Sequence, residues 1–427
     1  MNKGFLKMIK GIGTTAVCFL LTCFPGRAQN NTSNPYSMYG IGELRSQNNA
    51  ATSAMGNAGI GLRTGSFLNA LNPASYTAID SLNFLFEIGI DGKSSSFESK
   101  GETADASDAN LSYLALGWRI NDKLATSFGF NPFSHTGYEI NTTAEIEGTV
   151  TEYPLDISGS GNLSRAYVSM AYKLTKNLSM GVKPSFIFGS LEQLQYHNLY
   201  VIGSYPVYNS TKNYFHNFFV EIGAQYTLHL KPGDLTLGLM YNPGATVATR
   251  REDTSYNSAG TVYENEEEST EDFYIPEEYG IGLAFKNNRN LVAVLDAGVQ
   301  CWSNHHYDLK ELSDQSGVRL KDNPYIRAGF EYTPTQNYLA KYIRRINYRA
   351  GFQYAESYLD MRGQDQNEIS FSVGLGLPVK NQISRIDVTF EAGQNGTTKN
   401  GLIQENFLRL RIGFSLRDLW FQHRKYN

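Results

Sequence analysis

The chain has 427 residues, with 37 basic and 41 acidic side chains and a net charge of −4. The chain lacks the excess of basic residues that would indicate nucleic-acid binding. A mean hydropathy of −0.36 excludes a bundle of membrane-spanning helices. Tyr (28), Phe (24) and Gly (40) are abundant whereas Pro is only 13, which favours many strands joined by turns.

The first 28 residues have the features of a cleaved signal peptide. Three lysines precede an apolar stretch, residues 12–24, that is too short to span a bilayer comfortably. Small residues at Gly26 and Ala28 predict cleavage before Gln29. The less favoured alternatives are an uncleaved anchor helix and a lipoprotein modified at Cys23.

Removal of that peptide leaves Cys301 as the single cysteine, so we expect no intramolecular disulfide and no cysteine metal cluster. His305 and His306, near Asp308, are the best metal candidates. Adjacent residues on a strand point apart, so surface histidines are the favoured interpretation. We therefore predict no metal, no cofactor and no enzymatic activity, although a hydrolase assembled from distant loops stays open.

Residues 29–81 do not alternate as a strand does. Gly and Ala recur in short steps over residues 55–61 and again around Asn72. This composition predicts compact irregular or short helical structure that packs inside another element. An irregular backbone is costly in lipid but not inside a barrel lumen.

From residue 82 onward the pattern has a period of two. Leu408, Leu410 and Ile412 share one face of the last segment, whereas Arg409 and Arg411 share the other. One face can therefore meet lipid and the other water. The strand candidates lie near 82–91, 110–120, 124–138, 162–175, 178–190, 215–231, 235–248, 273–286, 291–303, 324–333, 346–356, 367–378, 384–394 and 403–416.

The connections between these candidates alternate in length. Short turns alternate with long polar loops, which are predicted at 98–109, 139–161, 191–213, 249–272 and 304–322. Alternating lengths are typical of outer-membrane barrels, whereas a soluble sandwich has no reason to show them. We predict an all-β fold, a single transmembrane antiparallel β-barrel of about 14 strands over 82–427. Residues 29–81 form a hatch in its lumen, and both termini are periplasmic at a Gram-negative outer membrane.

Two short motifs ahead of the barrel carry a family resemblance. Met55-Gly56-Asn57-Ala58-Gly59 is followed by Leu71-Asn72-Pro73-Ala74. With about fourteen strands after them, they resemble the FadL/TodX family of hydrophobic-compound channels, and residues 418–426 look like members from Bacteroidetes-type bacteria. The resemblance implies that Asn72, Pro73 and Ala74 mark the hatch. It also implies passive uptake of long-chain fatty-acid-like or aromatic compounds, with sideways exit through a wall opening at a kinked strand.

The candidate for that kink is Asn131-Pro132, within the strand predicted at 124–138. Proline cannot donate to a strand ladder and lies at edges, bulges or kinks. An equally weighted alternative is that pairing simply ends at Asn131 and a loop begins. Residues 241–244 form a second such break.

The predicted lumen face is strongly charged, which departs from the best-known members of the family. Arg327, Arg349, Arg409 and Arg411 are the lumen candidates. An Arg such as Arg409 could pair with a fatty-acid carboxylate, but a paired network filling the barrel is the commoner state of such charges. The apolar residues that could form a passage are few, namely Phe67, Phe128, Phe130 and Phe133.

Two functions therefore stand beside each other. The first is a channel for small hydrophobic compounds, motivated by the hatch motif. The alternative, motivated by the charged lumen and polar loops, is a non-transport accessory subunit of an outer-membrane assembly or secretion complex. Expected partners are hydrophobic small molecules, outer-membrane lipid and lipopolysaccharide, and a protein complex under the alternative, but no nucleic acid.

Overall fold

The computed structural model describes residues 34–81, 83–146, 152–198, 205–303, 318–361, 363–379 and 384–419. The predicted signal peptide and its cleavage site lie outside these ranges, as do His305 and His306. In the part of the chain that is described, no helix has the length and apolar content needed to cross a membrane.

Long antiparallel strands dominate the structure, joined by turns and a few short helices. The helical elements are α1 (Ala50–Ser53) and the 3-10 turns Pro35–Met38, Pro73–Ala78, Tyr342–Arg345 and Lys399–Gly401. The strands are β1 (Glu43–Leu44), β2 (Asn83–Ser99), β3 (Glu102–Arg119), β4 (Leu124–Glu145), β5 (Glu152–Lys173), β6 (Leu178–His197), β7 (Val207–Leu230), β8 (Gly233–Asn242), β9 (Ala245–Asn257), β10 (Val262–Ile275), β11 (Glu277–Asn287), β12 (Leu291–Cys301), β13 (Val318–Leu320), β14 (Asn323–Tyr332), β15 (Asn347–Ala355), β16 (Leu359–Met361), β17 (Gln364–Asp365), β18 (Glu368–Val379), β19 (Ser384–Gly396) and β20 (Gln404–Leu419).

The sheet closes into a barrel because β2 pairs with β3 on one side and with β20 on the other. β8 and β9 form one wall strand interrupted at Pro243, and β10 and β11 form the next, interrupted at Pro276. The wall therefore contains fourteen antiparallel strands, which confirms the predicted fold class. Four short strands are not part of this wall: β1 belongs to the hatch and pairs with β4, and β13, β16 and β17 form a small separate sheet.

The predicted long loops are largely wrong, because the strands extend through them. A turn at Lys100-Gly101 joins β2 to β3, and β4 stays paired with β5 as far as Glu145 and Glu152. The acidic segment around Glu267, expected in a solvated loop, lies in β10 and pairs with β9. Polar residues on both faces erase the alternating pattern, but backbone hydrogen bonds still extend a hairpin beyond the membrane.

These extended hairpins define one end of the barrel, called here the hairpin end. The opposite end is the turn end, where the wall strands are joined by short segments such as 120–123, 174–177, 231–232 and 288–290. Leu419, the last described residue, pairs with Asn83 at the turn end.

Large apolar side chains point outward between the two ends. Leu408 is 66% exposed and Phe371 is 63% exposed, whereas the alternating neighbours Arg409 and Ser370 face the interior. Such a surface suits a lipid bilayer, because lipid receives the apolar side chains that water would reject.

Residues 34–81 run through the lumen from the hairpin end to the turn end. The Tyr36 hydroxyl accepts a hydrogen bond from Ile403 N at the hairpin end. At the other end Asp80 pairs with Arg417 at 2.7 Å. These described residues lie within the predicted hatch, and the name hatch is kept for them below.

Glycines on the inner wall allow the hatch backbone to approach closely. A Cβ on Gly351 would lie 1.9 Å from the backbone nitrogen of Gly56, and one on Gly223 would lie 2.1 Å from Asn72 Oδ1. Neither position tolerates a side chain, so the wall sequence itself is adapted to the hatch.

An apolar cluster fills the hairpin end. It combines hatch residues with residues from the connections beyond β12 and β15, among them Ile41, Trp302, Tyr358 and Met361. Trp302 is fully buried and stacks on Tyr358 with ring centroids 4.5 Å apart. The cluster packs the start of the hatch against these connections and covers this end of the lumen.

The substitution Gly351→Val tests the close fit between hatch and wall. We expect it to lower the free energy of unfolding by about 1–3 kcal/mol, because the added side chain meets the Gly56 backbone. The measurement is the midpoint of urea unfolding in detergent, together with protease sensitivity of the hatch. Ala350→Val on the outward face of the same strand is the control, and equal effects of the two substitutions would contradict this fit.

Candidate functional site

The barrel wall is broken between β3 and β4. The two strands pair from Arg119↔Ala125 as far as Leu114↔Phe130, and no further pair joins them in the described residues. Both strands nevertheless continue toward the hairpin end, each paired with its other neighbour. The wall is therefore open to one side above Phe130, a feature called here the wall break.

Asn131 and Pro132, the residues predicted to form a kink, lie at the start of the wall break. They still pair with β5, and a bulge at Phe133 follows them. Because β4 continues to Glu145, the alternative that a loop begins at Asn131 is wrong. Residues 243–244 also interrupt a strand, but there β7 pairs with both halves and carries the wall past the interruption.

The hatch occupies the strand edge that the wall break leaves free. Glu43 and Leu44 of β1 pair antiparallel with His135 and Ser134 of β4. The next residue, Arg45, donates its backbone N–H to the Phe133 carbonyl at 2.9 Å. Three hatch residues thus replace the missing neighbour of β4.

Side chains of the same segment reach the opposite side of the wall break. Arg45 Nη2 lies 2.8 Å from Asp108 Oδ2 on β3, and Glu43 Oε1 lies 3.2 Å from Lys93 Nζ on β2. Burial alone would raise the pKa of Glu43, but Lys93 and Arg45 outweigh it and lower that pKa to about 2. The hatch therefore bridges both sides of the wall break with groups that stay charged at neutral pH.

A cavity of about 470 Å³ lies behind the wall break. Leu111, Phe130 and Pro132 form its apolar rim at the wall. Its remaining lining is mostly polar and includes Glu43, Arg45, Asp91, Arg327, Glu368, Arg409 and Arg411. A passage for apolar molecules would instead be lined mainly by apolar side chains.

Two of the four predicted lumen arginines are held in ion pairs. Arg349 lies 2.7 Å from Glu331 and 2.6 Å from Asp387, away from the cavity behind the wall break. Arg409, which lines that cavity, lies 2.9 Å from Glu391. These contacts are ion pairs of the kind expected in a paired network, which the sequence analysis favoured over a carboxylate-binding site.

The other two arginines also line the cavity, where Asp91 lies near Arg411 and Glu278 lies near Arg327. Arg411 donates to the Asn48 carbonyl at 3.2 Å and to the Ser53 hydroxyl. Arg327 lies over the Tyr325 ring, 4.0 Å from its centroid. Arg411 thus fixes the start of α1 to β20.

The predicted hatch motif joins the hatch to β7 and β8. Asn72 is fully buried, and its amide donates to the carbonyls of Ile60 at 2.9 Å and Leu239 at 3.1 Å. Its Oδ1 accepts from Ala74 N at 3.0 Å, which caps the 3-10 turn that begins at Pro73. Pro at this position suits a first turn because its missing N–H would be unpaired there.

The phenylalanines expected to form a passage do not lie together in the lumen. Phe128 and Phe130 point outward, where they line an apolar groove of about 460 Å³ with Phe186 and Phe218. Phe67 belongs to a buried hatch cluster, and Phe133 packs in the hairpin-end cluster. Phe128 and Phe130 share one face of β4, whereas Phe133, three positions after Phe130, lies on the other face, as strand alternation requires.

A buried cluster on β6 and β7 was missed from the sequence. Lys183 Nζ is fully buried and lies 2.8 Å from Glu221 Oε2, with Gln47 Oε1 and the Ala70 carbonyl each at 2.7 Å. Lys183 and Glu221 are direct cross-strand partners. In the sequence, Lys183 and Glu221 are single charges among small residues that face inward. Only the register of β6 against β7 shows that the two side chains meet.

Comparisons with known proteins agree with the fold. Solved structures that resemble the chain include the toluene transporter TbuX of Ralstonia pickettii, with 14% identity, TM-score 0.59 and coverage of 87% of this chain and 98% of that one. The toluene transporter TodX of P. putida has 16% identity and a TM-score of 0.59, and the match covers 88% of this chain and 100% of that one. A FadL homologue of Pseudomonas aeruginosa has 14% identity and a TM-score of 0.55, and the match covers 87% of this chain and 98% of that one. The resemblance to FadL/TodX proteins is thus confirmed for the fold.

Sequence relationships point to a particular family. No curated protein sequence matches the chain significantly. A protein-family model described as BamG matches residues 8–427. Because that match covers nearly the whole sequence, the chain belongs to the BamG family.

Proposed function

We propose that this protein is a closed outer-membrane barrel that does not conduct and that serves as an accessory subunit of a larger outer-membrane protein complex, such as an assembly or secretion machine. The observation that carries the proposal is the wall break, which the hatch bridges with ion pairs and behind which the cavity is charged. The barrel fold and its apolar exterior support the location, with the turn end facing the periplasm.

The polar lining argues against passage of apolar molecules. A hydrophobic solute in the cavity would remove water from charged side chains such as Arg409 and Asp91 without replacing its hydrogen bonds. Removing water from a charged group without giving it another partner costs a free energy on the order of several kcal/mol. The lumen therefore suits a structural role better than a hydrophobic path.

The seating of the hatch argues for a permanent closure. Arg45 and Lys93 are both largely buried, as are their carboxylate partners Asp108 and Glu405. Withdrawing the hatch would leave Asp108 without Arg45, and removal of one member of a buried pair typically costs about 3–5 kcal/mol. It would also take Glu43 away from Lys93, which would keep Glu405 of β20 as its partner. The apolar cluster around Trp302 closes the hairpin end in addition.

The surfaces outside the membrane offer room for protein contacts. Hairpins such as β4–β5 and β6–β7 extend past the apolar belt as paired, largely polar strands. An accessory barrel needs contact surfaces of this kind, whereas a passive channel does not depend on them.

The wall break itself favours a second candidate, a lateral channel for hydrophobic small molecules. Its rim at Phe130 borders the outer apolar groove that Phe186 and Phe218 line. The structural relatives are named as transporters of toluene and channels for monoaromatic hydrocarbons, not as enzymes. Under this candidate the hatch segment at Glu43 must leave the edge of β4 before a fatty-acid-like or aromatic compound passes.

Purification from native outer membranes separates the two candidates. For an accessory subunit we expect a stable complex in mild detergent in which other proteins are present at a fixed stoichiometry near one to one. The measurement is native mass determination with quantitative protein composition. A protein that runs alone, and whose deletion strain loses uptake of labelled toluene, would support the lateral channel and defeat the accessory role.

The substitution Arg45→Leu tests the closure of the wall break. We expect a small aromatic dye to enter liposomes that contain the wild-type protein no faster than it enters empty liposomes. Arg45→Leu is expected to weaken hatch seating by about 3 kcal/mol, because Asp108 loses its buried partner, and to open a measurable leak. Arg250→Leu, on the half-exposed hairpin strand β9, is the control. A wild-type protein that already admits the dye would contradict closure.

The hatch seating should also depend on pH in a defined range. Glu43 has its pKa lowered from 4.5 to about 2, so the stability that it contributes is full above pH 4.5 and is lost as pH falls toward 2. We expect constant protease resistance of the hatch from pH 8 to pH 5 and a loss below that. In Glu43→Gln this acid-dependent component should be smaller; an unchanged acid profile would show that Glu43 does not anchor the hatch.

A further inference from the structure

We propose that the turn end of the barrel holds a docking cavity for an acidic segment of a partner protein. The inference rests on the proposed accessory function and identifies where, and by what chemistry, a partner binds. It concerns a cavity separate from the one behind the wall break.

This turn-end cavity has a volume of about 440 Å³ and lies inside the ring of wall strands. The hatch forms its floor, where Met55, Leu62 and Phe67 contribute apolar surface. Inward residues of β11, β14 and β19 and the ends of neighbouring strands form its sides. An elongated peptide with both apolar and charged side chains fits such a lining better than a small ion does.

The lining carries a strong excess of positive charge. Two acidic residues line the cavity, and both are already paired: Asp80 with Arg417 at 2.7 Å, and Glu331 with Arg349 at 2.7 Å. The basic residues of the lining are Arg63, Lys286, Arg289, Arg345, Arg385 and Arg417. The lining thus has six cationic side chains and two carboxylates, and both carboxylates are already paired. This excess of positive charge suits the cavity to an anionic ligand.

Several of these cations retain unused hydrogen-bonding groups. Among the described residues, no carboxylate oxygen lies within ion-pair distance of Lys286, Arg289 or Arg345. Arg385 is only 9% exposed; its Nε pairs with Asp387 at 2.8 Å, while its Nη2 has no hydrogen-bond partner. Buried guanidinium N–H groups without acceptors are costly, and a carboxylate in the cavity would satisfy them.

The rim of the cavity adds an exposed apolar surface. Residues 333–346, a long connection at the turn end, expose Tyr338, Leu339 and Ile343. The same connection supplies Arg345, which lies over the Tyr342 ring at 5.3 Å. Tyrosine, arginine and exposed aliphatic side chains together are the composition of protein-binding surfaces.

The position of the cavity favours a peptide over a lipid. The surrounding wall strands separate its floor at Met55 and Phe67 from the bilayer, so a membrane lipid has no direct path to it. A free anion such as phosphate could reach the cations but would leave the apolar floor and rim uncovered. The ligand chemistry is therefore a segment that alternates carboxylate and apolar side chains.

The test uses the full protein in phosphatidylcholine nanodiscs and a fluorescein-labelled dodecapeptide of alternating Glu and Leu. We expect binding that the matching Gln–Leu peptide lacks. The triple variant Lys286→Gln, Arg289→Gln, Arg345→Gln should weaken binding at least about 10-fold, because it removes three cations of the cavity. The control triple Lys123→Gln, Lys176→Gln, Lys231→Gln removes equal charge from turns at the same end and should change affinity less than about 2-fold.

Charge reversal keeps the test decisive if the neutral variant folds poorly. Lys286→Glu with Arg289→Glu should lose the Glu–Leu peptide and gain a Lys–Leu peptide, which a misfolded protein would not do. Equal weakening in both triples, no binding by the wild type, or displacement by millimolar inorganic phosphate as effectively as by excess peptide would each overturn the proposal. If a native complex purifies while the peptide fails, the accessory function stands and this cavity is not its docking site.

Discussion

Closure of the sheet between β2 and β20 creates the constraint on which the rest of the structure depends. A cylinder of fourteen strands is too wide for its own inward side chains to fill, so its interior must hold either water or another part of the chain. Here residues 34–81 fill it. The wall residues follow from that choice: glycine stands at positions such as Gly223 and Gly351, where backbone meets backbone. Some wall charges, such as Asp108 and Lys183, lie where the hatch supplies a partner.

The polar interior is a consequence of the same arrangement. Lys183 is fully buried on an inward position of β6 and is stable there because Glu221, Gln47 and the Ala70 carbonyl surround it. Two of these partners belong to the hatch. Buried charge of this kind adds little net stability but strongly disfavours any other register, because a displaced partner leaves an uncompensated ion. The hatch is thus specified as much by electrostatics as by packing.

The sequence predicted the architecture well because alternation in strands such as β19 and β20 is a local signal. It also pointed to Asn131 and Pro132, which lie at the start of the wall break, because proline has a local effect on a ladder. A lateral opening at this place stays a prediction. It did not predict how far the hairpins extend, since polar residues on both faces, as around Glu267, leave no periodicity. The bridge from Glu43 and Arg45 to the opposite wall was also out of reach, because those contacts join residues distant in sequence whose register only the folded barrel fixes.

The contacts of α1 with the two last strands have a consequence for biogenesis. The Ala50 carbonyl accepts a hydrogen bond from Thr389 of β19 at 2.6 Å, and Arg411 of β20 holds the Asn48 carbonyl. The last two wall strands, β19 and β20, therefore both complete the barrel and hold α1 inside it. Completion of the perimeter therefore also adds two anchors for this part of the hatch, beside those that the hatch has on β4, β7 and β8. A nascent chain arrested before β19 would lack both a closed perimeter and these two anchors of the hatch.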